Sequence, residues 1–210
     1  MIVVASRTGD DEPASAAAAP AATTARFAGI DQDGIALGSP KAPATLVEFA
    51  DLQCPFCGVY ARDVLPSVVE RYVRLGQLRL ESHVLAFLGE DSVRAGRMAA
   101  AAALQDRLWH FTDAFYAQQG EENTGYVTEE FLSQMATAAG ADLEAARSAR
   151  DDPAAARVLR DAQATAERLG VQGTPAFFVR RGDGDLRPVE VNELTPDAFA
   201  AALDATLAAR

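Results

Sequence analysis

The chain has 210 residues, 49% of them hydrophobic, and a formal charge of −11 at pH 7. This length suffices for one hydrophobic core with room for an added subdomain. The acidic charge argues against nucleic acid or an anionic membrane surface as the main partner. No stretch of the sequence reaches the roughly 18 apolar residues of a membrane span.

Residues 1–26 differ in composition from the rest of the chain. The apolar opening, MIVVA, is too short for an intact signal peptide but is compatible with the remnant of a signal or anchor. Residues 10–24 are acidic and then rich in Ala, Pro, Ser and Thr, which predicts a disordered tether. We therefore expect a folded domain over residues 27–210, with an untidy natural N-terminus as the alternative to a tether.

The first folded elements are a short hairpin and a buried strand. Asp33-Gly34 lies between apolar residues and indicates the turn of the hairpin. Residues 44–50 are apolar on both faces, as in a central strand that is covered on both sides. Glu48 is the exception, and a carboxylate at that position must be paired, protonated or functional.

A helix is expected after a break at residues 51–53. It should run from Cys54 to about Leu75, end at Gly76, and bend at Pro66, which has no backbone N–H to donate. Residues 77–84 alternate in hydrophobicity and predict a second strand. This strand should lie parallel to the first, because a helix connects the two.

Residues 85–169 have helical patterns throughout and predict a block of helices. Aromatic residues around Trp109 have helical spacing, so they are expected in the core rather than in a substrate groove. Period-two patterns over residues 176–180 and 187–193 flank the turn sequence RGDGD and predict a hairpin. A closing helix should begin at Thr195-Pro196.

The two cysteines, Cys54 and Cys57, are the only ones in the sequence and form a C-x-x-C motif. In the first turn of a helix, both sulfurs lie on one side and can join into a small disulfide ring. Cys54, nearer the tip, is expected to face solvent, where the unpaired backbone N–H groups stabilise a thiolate. Cys57 lies deeper and is better shielded, so one sulfur can attack and the other can resolve.

Other uses of the pair fit the sequence less well. Zinc needs four ligands, and the only histidines, His83 and His110, are too far apart in sequence for a zinc finger. Both are expected to be partly buried neighbours of hydrophobic residues. Covalent haem requires histidine directly after the second cysteine, where this chain has Gly58. A structural disulfide remains possible, although a bridge that closes so small a loop stabilises least, and the strand-to-helix position favours redox chemistry.

Three sequence segments carry a family resemblance. VEFADLQCPFC, SVRAGRMAAAA and GVQGTPAFFV resemble segments of DsbA-like thiol–disulfide oxidoreductases of the Gram-positive type, which are often membrane-tethered and belong to the thioredoxin superfamily. The resemblance covers roughly residues 34–210. It implies an α/β thioredoxin-like fold with an all-helical insertion, at about residues 85–169, between the second strand and the C-terminal hairpin.

The resemblance also implies roles for individual residues. Cys54 becomes the nucleophile and Cys57 the resolving thiol. Thr174 and Pro175 fall at the family's cis-proline loop, which faces the active-site disulfide and a substrate strand. Glu48 stands where relatives have a buried acid beneath the second cysteine, and burial raises the pKa of such a carboxyl.

The residues between the cysteines, Pro55 and Phe56, are expected to contact substrate. Several strongly oxidising relatives have histidine at the second of these positions. Phe56 cannot donate a hydrogen bond to the Cys54 thiolate, so it leaves the oxidising strength of this chain open.

Together, these residues imply an extracytoplasmic enzyme, secreted or tethered to the membrane, that donates a disulfide to reduced, folding proteins. The resemblance further implies reoxidation by a membrane quinone-linked protein, a monomer, no nucleic-acid partner, and no cofactor beyond the Cys54–Cys57 disulfide. A reductase or isomerase would share every residue named. A non-catalytic binding or chaperone module of the same fold is the alternative from another class.

Overall fold

The computed structural model describes residues 25–208, and a six-stranded mixed sheet forms its centre. The strand order is β1-β2-β4-β3-β5-β6. Strands β3 and β4 are parallel, as predicted, and β5 lies antiparallel on the other side of β3. The strands are β1 (Gln32–Asp33), β2 (Ala36–Leu37), β3 (Ala44–Asp51), β4 (Leu78–Leu85), β5 (Ala176–Arg181) and β6 (Arg187–Pro188).

Helices cover the sheet and form a separate block between β4 and β5. The N-cap residues Thr128, Asp142 and Asp152 each accept a hydrogen bond from the first turn of a helix. Within residues 25–208, no helix combines the length and the apolar character that crossing a membrane requires. The helices are α1 (55–73), α2 (Gly89–Ala103), α3 (Leu108–Ala117), α4 (Glu129–Ala138), α5 (Leu143–Ala149), α6 (Pro153–Leu169) and α7 (Pro196–Ala208).

Helix α1 differs from the predicted bent α-helix. Two π-helical segments, Tyr60–Val64 and Val69–Val73, flank an α-helical turn at Leu65–Val68. In the π-helical register the carbonyl of Ala61 would accept from residue 66, but Pro66 has no N–H. The guanidinium of Arg26 donates to this carbonyl instead, at 3.0 Å.

The predicted tether lies mostly outside the described residues. Its last residue, Arg26, belongs to the folded part, because it contacts α1 and forms an ion pair with the buried Asp113 of α3. Phe27 is also buried, with its ring edge against Trp109 and His110. The folded part therefore begins at least one residue before the predicted boundary.

Among the described residues the core has three clusters: the first lies between the sheet and helices α1 and α7, the second joins the helical block to the cysteine motif, and the third lies between the sheet and α6. Tyr60, Phe177 and Phe199 stack in the first. Phe111 and Phe115, fully buried, lie in the second, which confirms that these aromatics are core residues. The hairpin strand predicted over residues 187–193 is shorter than expected: β6 covers only Arg187–Pro188, and beyond it the backbone N–H of Val189 still donates to the carbonyl of Phe177 at 2.8 Å.

Candidate active site

The cysteine motif lies at the junction of β3 and α1. Cys54 is the N-cap residue of α1, with φ −68° and ψ 119°, and Pro55 is the first helical residue. Cys57 lies within the first turn and is fully buried. The two thiols are not bonded to each other, so the structure describes the reduced, dithiol form.

Cys54 is more buried than the sequence predicted. Only 5% of its surface is accessible, so the expectation that it faces solvent is wrong for the reduced form. Its sulfur lies 3.2 Å from the carbonyl oxygen of Thr174, which accepts a hydrogen bond from Cys54 only while the thiol is protonated. This contact joins residues 120 positions apart, so the local pattern around the motif could not reveal it.

The pKa values of the two thiols are shifted in opposite directions. A hydrogen bond from Cys57 is the largest effect on Cys54 and, against the opposing effect of burial, its pKa is lowered to about 6. A hydrogen bond with the side chain of Thr174, as distinct from its carbonyl, and the backbone N–H groups of Cys57 and Phe56 lower it further. Burial raises the pKa of Cys57 well above its ordinary value, and the Cys54 sulfur adds to that effect. Cys54 is therefore the thiolate at neutral pH, and Cys57 keeps the proton.

The loop before β5 lies beside Cys54. The Thr174–Pro175 peptide bond is cis, as predicted. A cleft of about 400 Å³ follows this loop and is lined by Phe56 and by residues 170–178 and 188–191, with Leu194 at one side. Phe56 is 63% exposed, and Pro55 next to it is exposed as well. Of the four residues predicted to contact substrate, Phe56, Thr174 and Pro175 line this cleft and Pro55 is exposed beside it.

Glu48 lies in the middle of β3, with 4% of its surface accessible. Burial raises the pKa of this carboxyl to about 8, so it is largely protonated at neutral pH. Its negative charge, when present, contributes to the raised pKa of Cys57. Glu48 is thus a buried acid within electrostatic reach of the deeper cysteine.

Asp51 is the last residue of β3, where the sequence predicted only a break between the strand and the following helix. It is fully buried, and its carboxylate accepts from the backbone N–H groups of Gln53, Phe87 and Leu88 and from the Ser92 hydroxyl, at 2.6–3.2 Å. It therefore fastens the turn before Cys54 to the segment after β4. An acidic residue at the end of an apolar strand was the signal that could have identified it.

Three residues of the helical block also hold this turn. Tyr116 donates its hydroxyl hydrogen to the carbonyl of Asp51 at 3.2 Å. The Gln119 amide donates to backbone carbonyls within the turn. The backbone N–H of Asn123 donates to the side chain of Gln53 at 3.0 Å. No local sequence pattern indicates these contacts, because each joins residues more than 60 positions apart.

Comparison with known proteins agrees with this geometry. A family model described as "Thioredoxin" matches residues 31–205. A probable disulfide bond formation protein D from Bacillus anthracis is 30% identical over 148 residues, which cover 68% of each chain.

Solved structures show the same fold. Oxidised BdbD from Bacillus subtilis superimposes with a TM-score of 0.71 at 20% identity and covers 86% of this chain and 98% of that one. A thioredoxin-like oxidoreductase from Silicibacter pomeroyi gives a TM-score of 0.66 at 28% identity, with 83% and 92% of the two chains covered. The chain belongs to the thioredoxin superfamily and, within it, to the DsbA-like thiol–disulfide oxidoreductases.

Proposed function

We propose that this thiol–disulfide oxidoreductase works outside the cytoplasm as an oxidase, donating the Cys54–Cys57 disulfide to reduced proteins as they fold. The observation that supports this proposal is the difference between the two thiols: the pKa of Cys54 is lowered and that of Cys57 is raised. A thiolate that is stabilised in the reduced enzyme makes the disulfide easier to reduce, and therefore a stronger oxidant. DsbA is a strong oxidant for this reason, because its reduced form is stabilised.

The reaction proceeds by two thiol–disulfide exchanges. A substrate thiolate attacks the Cys54 sulfur of the oxidised enzyme, the Cys54–Cys57 bond breaks, and Cys57 leaves as a thiolate. This thiolate takes up a proton, and Glu48, protonated at neutral pH and buried near Cys57, is the proposed donor. A second substrate thiolate then attacks the mixed disulfide and releases Cys54 as a thiolate. Two electrons pass from the substrate to the enzyme, and no cofactor beyond the cysteine pair takes part.

The accessible surface beside Cys54 supports a polypeptide substrate. Thr174, Pro175 and Phe56 line the cleft beside the redox pair, and Pro55 next to Phe56 is exposed. We propose that a reduced protein binds here as the substrate. The enzyme acts as a monomer and does not bind nucleic acid. A membrane quinone-linked protein would reoxidise the enzyme, and residues 1–24 would tether it to the membrane or remain from its export.

The reduction potential tests the direction of the reaction. Equilibration of the purified protein with graded glutathione buffers should give a value closer to the roughly −120 mV of DsbA than to the roughly −270 mV of thioredoxin. A value at or below that of thioredoxin would instead assign a reductase. A pair that resists mild reductant would identify a structural bridge in a binding module.

Alkylation tests the roles of the two cysteines. A brief pulse at mildly acidic pH should label Cys54 in the reduced protein, because it is the thiolate under these conditions. Labelling mainly on Cys57 would reverse the assignment. Cys57→Ala should trap mixed disulfides with exported proteins through Cys54, while Cys54→Ala serves as the control that traps none.

A further inference from the structure

A glutamine side chain from the helical block lies directly on the turn that bears Cys54. Gln119 follows α3, and its Nε2 atom donates to the carbonyl oxygens of Leu52 at 2.9 Å and of Cys54 at 3.0 Å. An amide nitrogen has two hydrogens, so both are used on this one turn. The Cys54 carbonyl also accepts from the backbone N–H of Gly58 at 3.2 Å, which is the first hydrogen bond of α1.

Gly58 leaves the space through which Gln119 reaches the turn. A Cβ atom at position 58 would lie 2.1 Å from Oε1 and 3.1 Å from Cδ of Gln119, and 2.7 Å from Nη1 of Arg62. Gly58 is not among the glycines with positive φ, so its backbone conformation suits any residue. The close approach of the Gln119 amide, rather than the backbone, therefore accounts for glycine directly after Cys57.

The position of this turn matters for the sulfur of Cys54. The backbone N–H groups of Phe56 and Cys57, which contribute to the acidity of Cys54, belong to the same first turn of α1. A rotation of the Cys54 backbone would move the sulfur relative to these donors and to the Thr174 carbonyl, 3.2 Å away. The turn itself is buried, and the half-buried Gln119 side chain covers it.

We infer that Gln119 is a positioning residue of the redox site, which fixes the backbone of Cys54 through two hydrogen bonds and requires glycine at position 58. Gln119 does not touch a substrate and takes no part in the exchange of electrons. It acts through Cys54, and the inference rests on the proposed function only for the assignment of Cys54 as the reactive thiol. Through these hydrogen bonds, the helical block influences the acidity of Cys54, although Cys54 lies outside the block.

The first test is Gln119→Met, which keeps the length of the side chain and removes both donors. We expect the acid dissociation constant of Cys54, measured by thiolate absorbance, to fall by about threefold to tenfold, the ordinary effect of one or two buried hydrogen bonds. The equilibrium constant with glutathione should shift by a similar factor toward a weaker oxidant, since the reduced form loses thiolate stabilisation. Gln118→Met is the matched control, because this exposed neighbour at the end of α3 lies outside these contacts.

Gly58→Ala, Gln119→Ala and the double variant Gly58→Ala/Gln119→Ala complete the test. If both residues act through one contact, the double variant should change the acidity of Cys54 no more than the larger single change. Additive effects would overturn the inference. So would a Gln119→Met protein that unfolds more readily but keeps the wild-type Cys54 acidity and glutathione equilibrium, because the role would then be merely structural.

These outcomes are separable from those of the proposed function. A wild-type protein whose alkylation label falls on Cys57 would overturn the assignment of the reactive thiol. A strongly negative reduction potential would overturn only the oxidase direction. In the second case, the shift caused by Gln119→Met relative to wild type would still support or contradict the positioning role.

Discussion

The thioredoxin-like part and the helical block contribute different things to the same site. The sheet with α1 supplies both thiols, the buried carboxyl of Glu48 and the carbonyl of Thr174. The block from α2 to α6 supplies none of these groups, yet Tyr116 and Gln119 hold the turn before Cys54. The reacting atoms and the groups that position them thus come from separate regions, and substitutions at the contacts between them should reveal the division.

The Asp51 carboxylate accepts four hydrogen bonds, more than any other group at these contacts. Its loss should therefore have the largest effect on stability. Asp51→Asn keeps the shape but places an NH₂ group among four hydrogen-bond donors, which include the Ser92 hydroxyl. Because each buried donor left without an acceptor costs about 1–3 kcal/mol, we expect the free energy of unfolding to fall by about 3–5 kcal/mol. Urea denaturation measures this change.

Ser92→Ala is the control for Asp51→Asn. It removes one of the four donors and leaves the carboxylate satisfied by backbone N–H groups, so a loss of about 1 kcal/mol is expected. Equal losses for the two variants would show that Asp51 does not join the two regions in the way described.

Each region contains one buried acid with a raised pKa, so the two regions can be compared through the pH dependence of stability. Glu48 should have the larger effect on the free energy of unfolding. Burial raises its pKa from 4.5 to about 8, so the folded protein binds this proton more tightly than the unfolded chain does. Stability from this group is fully present below pH 4.5 and is lost as the pH rises through about 8. Across that interval the free energy of unfolding should fall by about 1.4 kcal/mol per pH unit.

Glu48→Gln should remove this slope, because glutamine does not titrate. Urea denaturation of both proteins at pH 5 and pH 8 measures the difference. A wild type and a variant with the same pH dependence would show that Glu48 does not hold its proton in the folded state. The variant should also slow the exchange steps in which Cys57 gains or loses a proton more than the first attack on Cys54.

Asp113 is the corresponding acid of the helical block, and Arg26 is its partner. Burial raises the pKa of Asp113 to about 6, and the Arg26 guanidinium opposes this rise. Arg26→Gln should raise this pKa further, so the variant loses more stability above pH 6 than below pH 4. At pH 7.5 we expect a loss of about 1–3 kcal/mol, typical of a hydrogen bond between charged groups.

The matched control for Arg26→Gln is Arg71→Gln. Arg71 pairs with Asp197, which is 89% exposed, and such surface pairs contribute about 1 kcal/mol or less. If both variants lose the same small amount at every pH, Arg26 does not connect α1 to α3 energetically.

The order of elements could be predicted because its signals are local. The cap at Thr128, the turn at Asp33-Gly34 and the spacing of Cys54 and Cys57 each lie within a few residues of what they specify. The burial of Cys54 and the contacts of Gln119 depend on residues far away in the chain, and hydrophobic periodicity carries no information about such hydrogen bonds. Local patterns therefore indicate the cysteine pair, whereas they do not indicate the distant groups that contact its turn.

The smallest expected effect concerns Phe56, the residue between the cysteines that departs from several oxidising relatives. Its ring is 63% exposed, so a histidine there would be largely hydrated. Phe56→His should still lower the pKa of Cys54, because the imidazole can donate a hydrogen bond and, when protonated, adds a positive charge. An exposed interaction of about 0.5–1 kcal/mol corresponds to about 10–20 mV for a two-electron couple, toward a stronger oxidant.

Graded glutathione buffers at pH 6.5 and pH 8 measure this shift, which should be larger at the lower pH, where more of the histidine is protonated while Cys54, with a pKa of about 6, is still largely ionised. Leu75→His is the matched control, because Leu75 is 65% exposed just beyond the other end of α1. A Phe56→His potential that stays at the wild-type value, or becomes more negative with the fold intact, would show that position 56 does not tune the sulfur. The acidity of Cys54 would then depend on the groups that hold its turn, Gln119 among them, rather than on the residues between the cysteines.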